Sequence, residues 1–305
     1  MSSSRNTVSV VIPAYNAEGT ILEALQSVSA QTASPTEVIV VDDVSQDATL
    51  RTIQESGSTC RLIERSENGG PAAARNEGIG AASGEWVAFL DGDDAWLPWR
   101  LELQLRLADA CPTVAAWCGD TVGLEDGVAN AVEPTGMDDA STRGIELNEF
   151  VRHNPVATST VLVKKSVLDE VGGFDPSFRG PEDFDLWMRI AAVHEIRRVE
   201  WPISRYRVHL GSLSMDDRTF LPQVLKVLDK AYSDGGAMTS HPEWRIGAES
   251  NQYWNASWMA FNRGSRSDAV RLWWKAYTRN CKAVNPVHRE WIRLLARYLV
   301  GNREV

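Results

Sequence analysis

The 305-residue sequence predicts an α/β protein whose core is a doubly wound, mostly parallel sheet. Short apolar runs rich in valine and isoleucine alternate with stretches whose apolar residues recur at helical spacing. Three of these runs lead directly into polar clusters, as is typical where parallel strands end at a ligand-binding edge. With 43% apolar and 24% charged residues the chain can bury a large core, which excludes disordered, collagen-like and disulfide-scaffold proteins.

Strands and helices alternate along the first 110 residues. A β-branched run that stops at Pro13 predicts a buried strand, and apolar residues at helical intervals from Ile21 to Val28 predict the helix after it. Asp47 is a candidate N-cap for the second helix, and the third is expected over residues 71–82. The predicted strands are residues 8–12, 38–41, 61–63 and 86–90.

The pattern becomes mixed after about residue 110. A stretch rich in glycine and aspartate, residues 119–144, reads as loops, and the chain from about residue 216 onward is expected to be helical. Helices are expected from near Ser166 and from Pro181, where proline and acidic residues suit a helix start. The further predicted strands are residues 114–117, 157–163 and 196–208.

Polar clusters follow three of the predicted parallel strands. They are Ala14-Tyr15-Asn16, Asp42-Asp43 and Asp91-Gly92-Asp93-Asp94. Each could be ordinary turn chemistry, because asparagine, aspartate and glycine end strands in many proteins. Three aligned clusters with several acids favour a functional site instead.

The third cluster is the most acidic. Like charges packed this closely are unfavourable unless a cation lies among them, and oxygen ligands favour Mg²⁺ or Mn²⁺ over zinc. A capped turn would explain one aspartate but not Asp91 and Asp93 together. The sequence therefore predicts a divalent cation here.

Three further stretches could contribute to a site. Glu182 and Asp183 could be acid or base groups, or partners of a helix dipole. In residues 205–209, the side chains of Arg207 and His209 could bind a diphosphate or a metal. The same stretch could equally be a solvated strand edge. Residues 68–75 could bring backbone amides and Arg75 toward a nucleotide, although a simple tight turn fits them as well.

The charge distribution argues against nucleic acid as a partner. Residues 1–240 carry 20 basic and 36 acidic side chains, whereas residues 241–305 carry 11 and 5. The acidic body would repel a phosphate backbone, so any phosphate it binds is expected to arrive with a divalent cation.

The sequence has neither a secretory signal nor a run long enough to span a membrane, which predicts a cytoplasmic protein. Four cysteines without metal-ligand spacing predict buried thiols.

The motifs together resemble a family 2 glycosyltransferase over about residues 7–215. The matching stretches, in the family's order, are residues 8–16, 37–43, 84–94, 172–175, 182–187 and 206–209. The resemblance implies a GT-A fold, a nucleotide-diphosphate sugar donor with UDP favoured, a divalent metal (Mn²⁺ or Mg²⁺) and inversion at the anomeric carbon. It also implies three parts: a nucleotide-binding half of about residues 1–110, an acceptor half of about residues 111–215, and a helical region, residues 216–305, packed on them.

The resemblance assigns roles by position. Tyr15 would lie against the base, Asp43 would accept a hydrogen bond from it, and Asp91 would face the ribose and diphosphate. Asp93 and His209 would hold the metal, and Asp183 would be the catalytic base. The expected donor-binding residues are Pro13, Ala14, Tyr15, Asn16, Asp43, Arg75, Asp91, Gly92 and Arg207. Val44 departs from the family, which usually has glycine there; valine disfavours a positive φ, and this bears on the base-binding turn.

The chemistry of glycosyl transfer fits these residues. A metal at Asp93 would stabilise the leaving diphosphate, and Asp183 could take the proton of an acceptor hydroxyl during a single displacement. Two alternatives remain: a noncatalytic sugar-nucleotide or glycan-binding module, and a sugar nucleotidyltransferase. The second usually begins with a glycine-rich basic loop, where this chain has Pro-Ala-Tyr-Asn.

The acceptor is expected to be a glycan or a lipid-linked saccharide. Its specificity is expected to depend on the variable loops around residues 119–155 and 210–240. The basic C-terminal region contains six tryptophans, most of which should pack on the body. A basic aromatic face within residues 273–298 could instead rest on anionic lipid, which would place the protein at the inner face of the plasma membrane.

Overall fold

A computed structural model of the chain describes residues 6–124, 141–207 and 216–280. The strands are β1 Val8–Ala14, β2 Glu37–Asp42, β3 Arg61–Glu64, β4 Trp86–Phe89, β5 Ala95–Trp96, β6 Ala116–Gly123, β7 Thr142–Gly144, β8 Leu162–Lys164 and β9 Ile196–Tyr206. The helices are α1 Ile21–Ser29, α2 Thr49–Glu55, α3 Gly70–Ala81, α4 Arg100–Ala110, α5 Lys165–Val171, α6 Glu182–Ala191, α7 Asp217–Ala231, α8 Arg245–Asn262 and α9 Arg266–Arg279. Short 3₁₀ turns cover Leu147–Val151, Thr158–Thr160 and Pro242–Trp244.

The strands form a single sheet in the order β3-β2-β1-β4-β8-β6-β9-β5, with β7 paired to β9. The first four strands of this order run parallel, and β8 then joins β4 and β6 in antiparallel fashion. Helices cover both faces of the parallel part, so β1 and β4 are buried on both sides and read as continuous apolar runs. This is the predicted doubly wound α/β sheet.

The sheet brings the three polar clusters to one edge. Ala14 pairs with Asp42 in the register of β1 with β2, and Val11 pairs with Phe89 in the register of β1 with β4. Parallel strands in this register end together, so the residues that follow β1, β2 and β4 emerge side by side. The strand order reverses between β1 and β4, and a ligand-binding crevice is expected at this switch point.

Two strand predictions in the second half were wrong in extent. The predicted strand over residues 157–163 begins as a 3₁₀ turn, because the Thr160 amide and hydroxyl both donate to the Ala157 carbonyl, and only Leu162–Lys164 pairs as a strand. The predicted strand over residues 114–117 starts at Ala116 and runs to Gly123, into the stretch expected to be loop. Its parallel pairing with β9 supplies hydrogen bonds that local composition does not reveal.

Two helix starts also differ from the prediction. The helix expected after an Asp47 N-cap begins at Thr49, with Ala48 in the capping position, although the Asp47 carboxylate does accept the Thr49 amide at 3.0 Å. Pro181 precedes α6 as its N-cap and is not its first residue.

Of the four cysteines, Cys118 is buried, Cys60 and Cys111 are partly exposed free thiols, and Cys281 lies outside the described residues.

The core lies on both faces of the sheet. On one face an aromatic cluster joins the sheet to α6: Phe89, Phe174 and Trp187 meet edge to face or tilted, with ring centroids 5.4 to 6.1 Å apart. Val224 and Val227 of helix α7 belong to the same hydrophobic core as these three rings. The helical part of the chain therefore packs directly on the element that carries Asp183, while the predicted boundary near residue 215 lies outside the described residues.

Val44 adopts the left-handed conformation that the sequence disfavours, with φ of 66°. Asn16 is the other non-glycine residue with a positive φ among the described residues, at 49°. The two turns are interlocked: the Asn16 amide donates to Ser45 Oγ at 3.0 Å, and the Gln46 amide donates to Asn16 Oδ1 at 2.8 Å. These hydrogen bonds hold the turn in place despite the strain of a β-branched residue.

Replacing Val44 with glycine is expected to stabilise the protein. The left-handed conformation costs an L-residue about 1–2 kcal/mol, whereas glycine loses about 0.5–1 kcal/mol more chain entropy on folding. The free energy of unfolding of Val44→Gly, measured by urea titration, should therefore rise by about 0.5–1 kcal/mol. The control Val38→Gly, in the extended backbone of β2, should lower it, and equal losses in both variants would contradict the assignment of strain to Val44.

Candidate active site

A cavity of about 980 Å³ opens at the carboxyl edge of the parallel strands. Every predicted site residue within the described part of the chain lines it: Pro13, Ala14, Tyr15, Asn16, Asp43, Arg75, Asp91, Gly92, Asp93, Asp183 and Arg207. The predicted metal ligand His209 lies outside the described residues. The volume is within the range of pockets that hold a ligand of nucleotide size.

The two turns after β1 and β2 form one end of the cavity. The Tyr15 side chain is exposed there, and Asp43 is buried beneath it. The Asp43 carboxylate accepts the amides of Gly69 and Gly70 at 3.0 and 2.7 Å and the Arg65 guanidinium at 2.8 Å. Asp43 therefore holds the start of α3 against β2, in addition to any contact with a ligand.

Gly92 lies where the chain after β4 crosses the end of β1. A β-carbon at this position would lie 3.1 Å from the Pro13 carbonyl oxygen, closer than most such contacts. A side chain here would push the acid cluster away from the first turn. Glycine thus lets Asp91 and Asp93 lie beside the residues that follow β1.

The acid cluster at the end of β4 has the electrostatics expected of a cation site. Asp94 is buried, and this burial together with the charges of Asp91 and Asp93 raises the pKa of Asp94 to about 8. Arg207 offsets part of the negative charge: its amide donates to Asp94 Oδ1 at 3.0 Å and its Nε to the Asp93 carbonyl at 3.0 Å. Its guanidinium also pairs with Glu23.

A divalent cation fits this donor set. The carboxylates of Asp91, Asp93 and Asp94 repel one another, and a bound cation would relieve this repulsion. Within residues 6–124, 141–207 and 216–280 no three histidine, cysteine or acidic side chains converge on one metal position. Mg²⁺ and Mn²⁺ commonly take one or two carboxylates and complete their shell with substrate phosphates and water.

Arg75 is buried and connects the two acidic parts of the cavity. Its Nη2 donates to Asp91 at 2.7 Å and its Nη1 to Glu182 at 2.9 Å, while its guanidinium lies 5.2 Å from the Phe174 ring centroid. Burial alone would lower the pKa of Arg75, but Asp91 and Glu182 raise it above its usual value. Arg75 thus lines the cavity with both terminal nitrogens bonded to carboxylates, and its contact with a nucleotide stays a prediction.

Asp183 lies at the start of α6, beside Glu182. Its Oδ1 accepts the Phe184 amide at 2.6 Å, and its Oδ2 accepts Asn154 Nδ2 at 2.9 Å and Thr158 Oγ1 at 3.3 Å. Burial and then the charge of Glu182 raise the pKa of Asp183 to about 7, with Asp91 adding to the effect and Arg75 opposing it. A carboxylate with this pKa can exchange a proton near neutral pH.

The sequence interpretation missed several residues of the cavity wall. Some lie within residues 119–155 and 210–240, which were expected to determine acceptor specificity but were not resolved into single residues, and the others lie outside every predicted motif: Thr121, His153, Asn154, Thr158, Ser159, Arg179, Phe220, Val224, Gln252 and Asn255. Asn154 and Thr158 carry no motif of their own. Only their hydrogen bonds to Asp183, 29 and 25 residues away, reveal their role.

The order of the sheet and the cavity at its carboxyl edge match the GT-A fold of known glycosyltransferases. Two solved structures are similar over most of the chain. The first is Staphylococcus aureus TarS 1–349 in complex with UDP-GlcNAc, with a TM-score of 0.62 and 18% identity; the match covers 88% of this chain and 90% of that one. The second is the mannosyltransferase PcManGT from Pyrobaculum calidifontis in complex with GDP-Man and Mn²⁺, with a TM-score of 0.61 and 22% identity; the match covers 99% of this chain and 89% of that one. At these identities the likeness establishes the fold.

Sequence comparison gives the family. The Glycosyl transferase family 2 model matches residues 9–154, and the Glycosyltransferase like family 2 model matches residues 137–255. The UDP-Glc:alpha-D-GlcNAc-diphosphoundecaprenol beta-1,3-glucosyltransferase WfgD of Escherichia coli is 30% identical over 212 residues, which cover 68% of this chain and 79% of that protein. The chain belongs to glycosyltransferase family 2.

Two other relatives match this chain over only part of their own length. An uncharacterized glycosyltransferase of Rickettsia felis is 31% identical over 215 residues, which are 69% of this chain but 34% of that protein. One from Haemophilus influenzae is 29% identical, with 60% of this chain and 61% of that protein matched. The chain thus spans only part of these two relatives, and the match concerns the glycosyltransferase region.

Removing the Arg75 charge is expected to destabilise the protein strongly. Arg75→Met leaves the buried Glu182 carboxylate and the partly buried Asp91 without their shared partner, a change that costs about 3–5 kcal/mol. Urea titration should record this loss, whereas Arg51→Met, which breaks an exposed pair with Glu55, should change the free energy of unfolding by less than about 0.5 kcal/mol. A similar small change in both variants would contradict the structural role of Arg75.

Proposed function

We propose that this family 2 member is an inverting, metal-dependent transferase. It would move a sugar from a nucleotide-diphosphate sugar, with a UDP-sugar favoured, to a hydroxyl of a glycan or lipid-linked acceptor. One observation carries the proposal: a single guanidinium bonds to Asp91 at 2.7 Å and to Glu182 at 2.9 Å, so the acid cluster and the neighbouring Asp183 face one cavity. We therefore expect the two groups to act on the same sugar.

The relatives support the choice of substrates. TarS is solved with UDP and with UDP-GlcNAc, and PcManGT with GDP-Man and Mn²⁺. WfgD is named for a UDP-Glc donor and a diphosphoundecaprenol-linked acceptor. We infer by analogy that this chain takes a UDP-sugar with Mn²⁺ or Mg²⁺ and an acceptor of the lipid-linked class.

Each group in the cavity has a part in the transfer. Tyr15 and Asn16 would frame the base with Pro13, Ala14 and Asp43, and Asp91 would face the ribose and diphosphate. Asp93 would hold the cation, with His209 as a further ligand. When bound, the cation supplies Lewis-acid stabilisation of the leaving diphosphate. Arg207, on the rim of the acid cluster, adds positive charge there.

Asp183 would remove the acceptor proton. Asn154 and Thr158 fix the orientation of its carboxylate by donating to Oδ2. As the acceptor oxygen attacks the anomeric carbon and the bond to the diphosphate breaks, the hydroxyl proton passes to Asp183. One displacement of this kind inverts the anomeric configuration and needs no covalent intermediate on the protein.

We further propose that α9 rests on anionic lipid at the inner face of the plasma membrane. Trp274 is 57% exposed and Tyr277 42%, and both rings contact Trp273. Basic side chains flank them on the same helix: Arg266, Arg271, Lys275 and Arg279. Aromatic and basic residues together suit an interface between water and anionic lipid. No helix within the described ranges is long and apolar enough to cross a membrane.

Loss of the base should abolish transfer without loss of donor binding. Asp183→Asn cannot take the proton, so kcat should fall by about 10²–10⁴-fold in assays of nucleotide sugars with Mn²⁺ or Mg²⁺. The thermal shift caused by the nucleotide sugar should persist. In the wild type, transfer should rise about tenfold per pH unit below pH 7 and level off above it, because Asp183 must be deprotonated.

Three results would contradict the proposal. One is full activity of Asp183→Asn, another is a flat profile from pH 5.5 to 8, and the third is a product that keeps the donor's anomeric configuration by ¹H NMR. The matched control is Asp169→Asn on the exposed face of α5, which should leave both the rate and the pH profile unchanged.

The membrane proposal predicts dependence on both aromatic residues and lipid charge. Replacing Trp274 and Tyr277 with alanine should lower co-sedimentation with phosphatidylglycerol vesicles by about tenfold, because the apolar area that enters the interface is lost. Neutral phosphatidylcholine vesicles serve as the control and should bind the wild type weakly. Equal binding of the wild type and the double variant to anionic vesicles would contradict the proposal.

A further inference from the structure

Part of the cavity wall comes from the helical region, which follows the last of the sequence motifs, residues 206–209. Helix α7 contributes Phe220 and Val224, and α8 contributes Gln252 and Asn255. Gln252 and Asn255 are three residues apart on one helix, so their side chains lie on the same face. None of the four residues is charged.

The Gln252 side chain is a polar component of this wall. The residue is only 5% exposed, and it lines the cavity. No hydrogen bond joins its carboxamide to another described residue, and neither of its two polar atoms is fully shut off from solvent. The carboxamide can therefore donate to and accept from a ligand in the cavity.

Two contacts place this face on the Asp183 side of the cavity. Asn251, next to Gln252, donates to the Val151 carbonyl at 2.9 Å, and Val151 lies three residues before Asn154, the donor to Asp183. On α7, Val224 packs in the same core cluster as Phe184, the residue after Asp183. These two contacts connect the face to the elements that hold Asn154 and Asp183.

We propose that Gln252 and Asn255, with Phe220 and Val224, form the subsite for a neutral pyranose ring of the acceptor. A carboxamide both donates and accepts, which matches neighbouring hydroxyls of a sugar, and an aromatic ring with an aliphatic side chain suits its C–H face. The absence of charge among these four residues favours an uncharged saccharide over the phosphates of an acceptor. This inference rests on the proposed function and names its acceptor class.

The test measures binding of simple glycosides. The probes are methyl pyranosides of glucose, galactose, mannose and N-acetylglucosamine, observed by saturation-transfer NMR with the full chain, Mg²⁺ and UDP or GDP. At least one should bind to the wild type. Asn255→Ala, an exposed position, and Gln252→Met should each weaken that binding by about tenfold. The thermal shift with nucleotide should persist in both variants.

Asn262→Ala is the matched control, because it removes the same exposed carboxamide from the same helix at a position outside the cavity wall. It should bind the glycoside as the wild type does. The inference is overturned if no glycoside binds to the wild type, or if Asn255→Ala and Gln252→Met bind it as tightly as Asn262→Ala does. Failure of the proposed function is a different result, in which no nucleotide sugar shifts the melting curve.

Discussion

A buried guanidinium between two carboxylates is the constraint on which the site depends. Arg75 comes from α3, Asp91 from the end of the next element, β4, and Glu182 from the start of α6, 107 residues after Arg75, so distant parts of the chain meet at one charge. Each carboxylate would be costly to bury alone, and the arginine would be costly to bury without them. The arrangement holds the start of α6, and with it Asp183, beside the acid cluster, and the proposed function places the sugar between them.

The rest of the fold supplies what this charge cluster needs. The parallel register of β1, β2 and β4 brings three turns to one edge, and Asp43 binds the start of α3, the helix that carries Arg75, to the end of β2. On the other side, the aromatic contacts of Phe174 and Trp187 hold α6 against the sheet. Burial of apolar area thus sets the positions of the charged groups, and the charged groups set the chemistry.

The sequence predicted the cavity residues at the ends of the parallel strands better than those around Asp183. The turns at Tyr15, Asp43 and Asp91 could be found because each directly follows a continuous apolar strand, a local pattern. The partners of Arg75 could not, because the bond to Glu182 spans 107 residues and no local rule links the two. The same holds for Asn154, Thr158 and Gln252, whose roles depend on tertiary packing alone. Val44 shows the reverse case: its residue type disfavours the turn, and neighbouring hydrogen bonds impose it.

In the proposed function, Arg75 holds the acids that would bind the metal and the base on opposite sides of one sugar. A crystal structure of the Asp183→Asn variant with a UDP-sugar and Mn²⁺ would show this arrangement. We expect Arg75 to contact Asp91 and Glu182 as in the free protein, Asp93 to contact the metal, and residue 183 to face the anomeric carbon on the side away from the diphosphate. A donor bound elsewhere, or a sugar whose anomeric carbon faces away from residue 183, would contradict it.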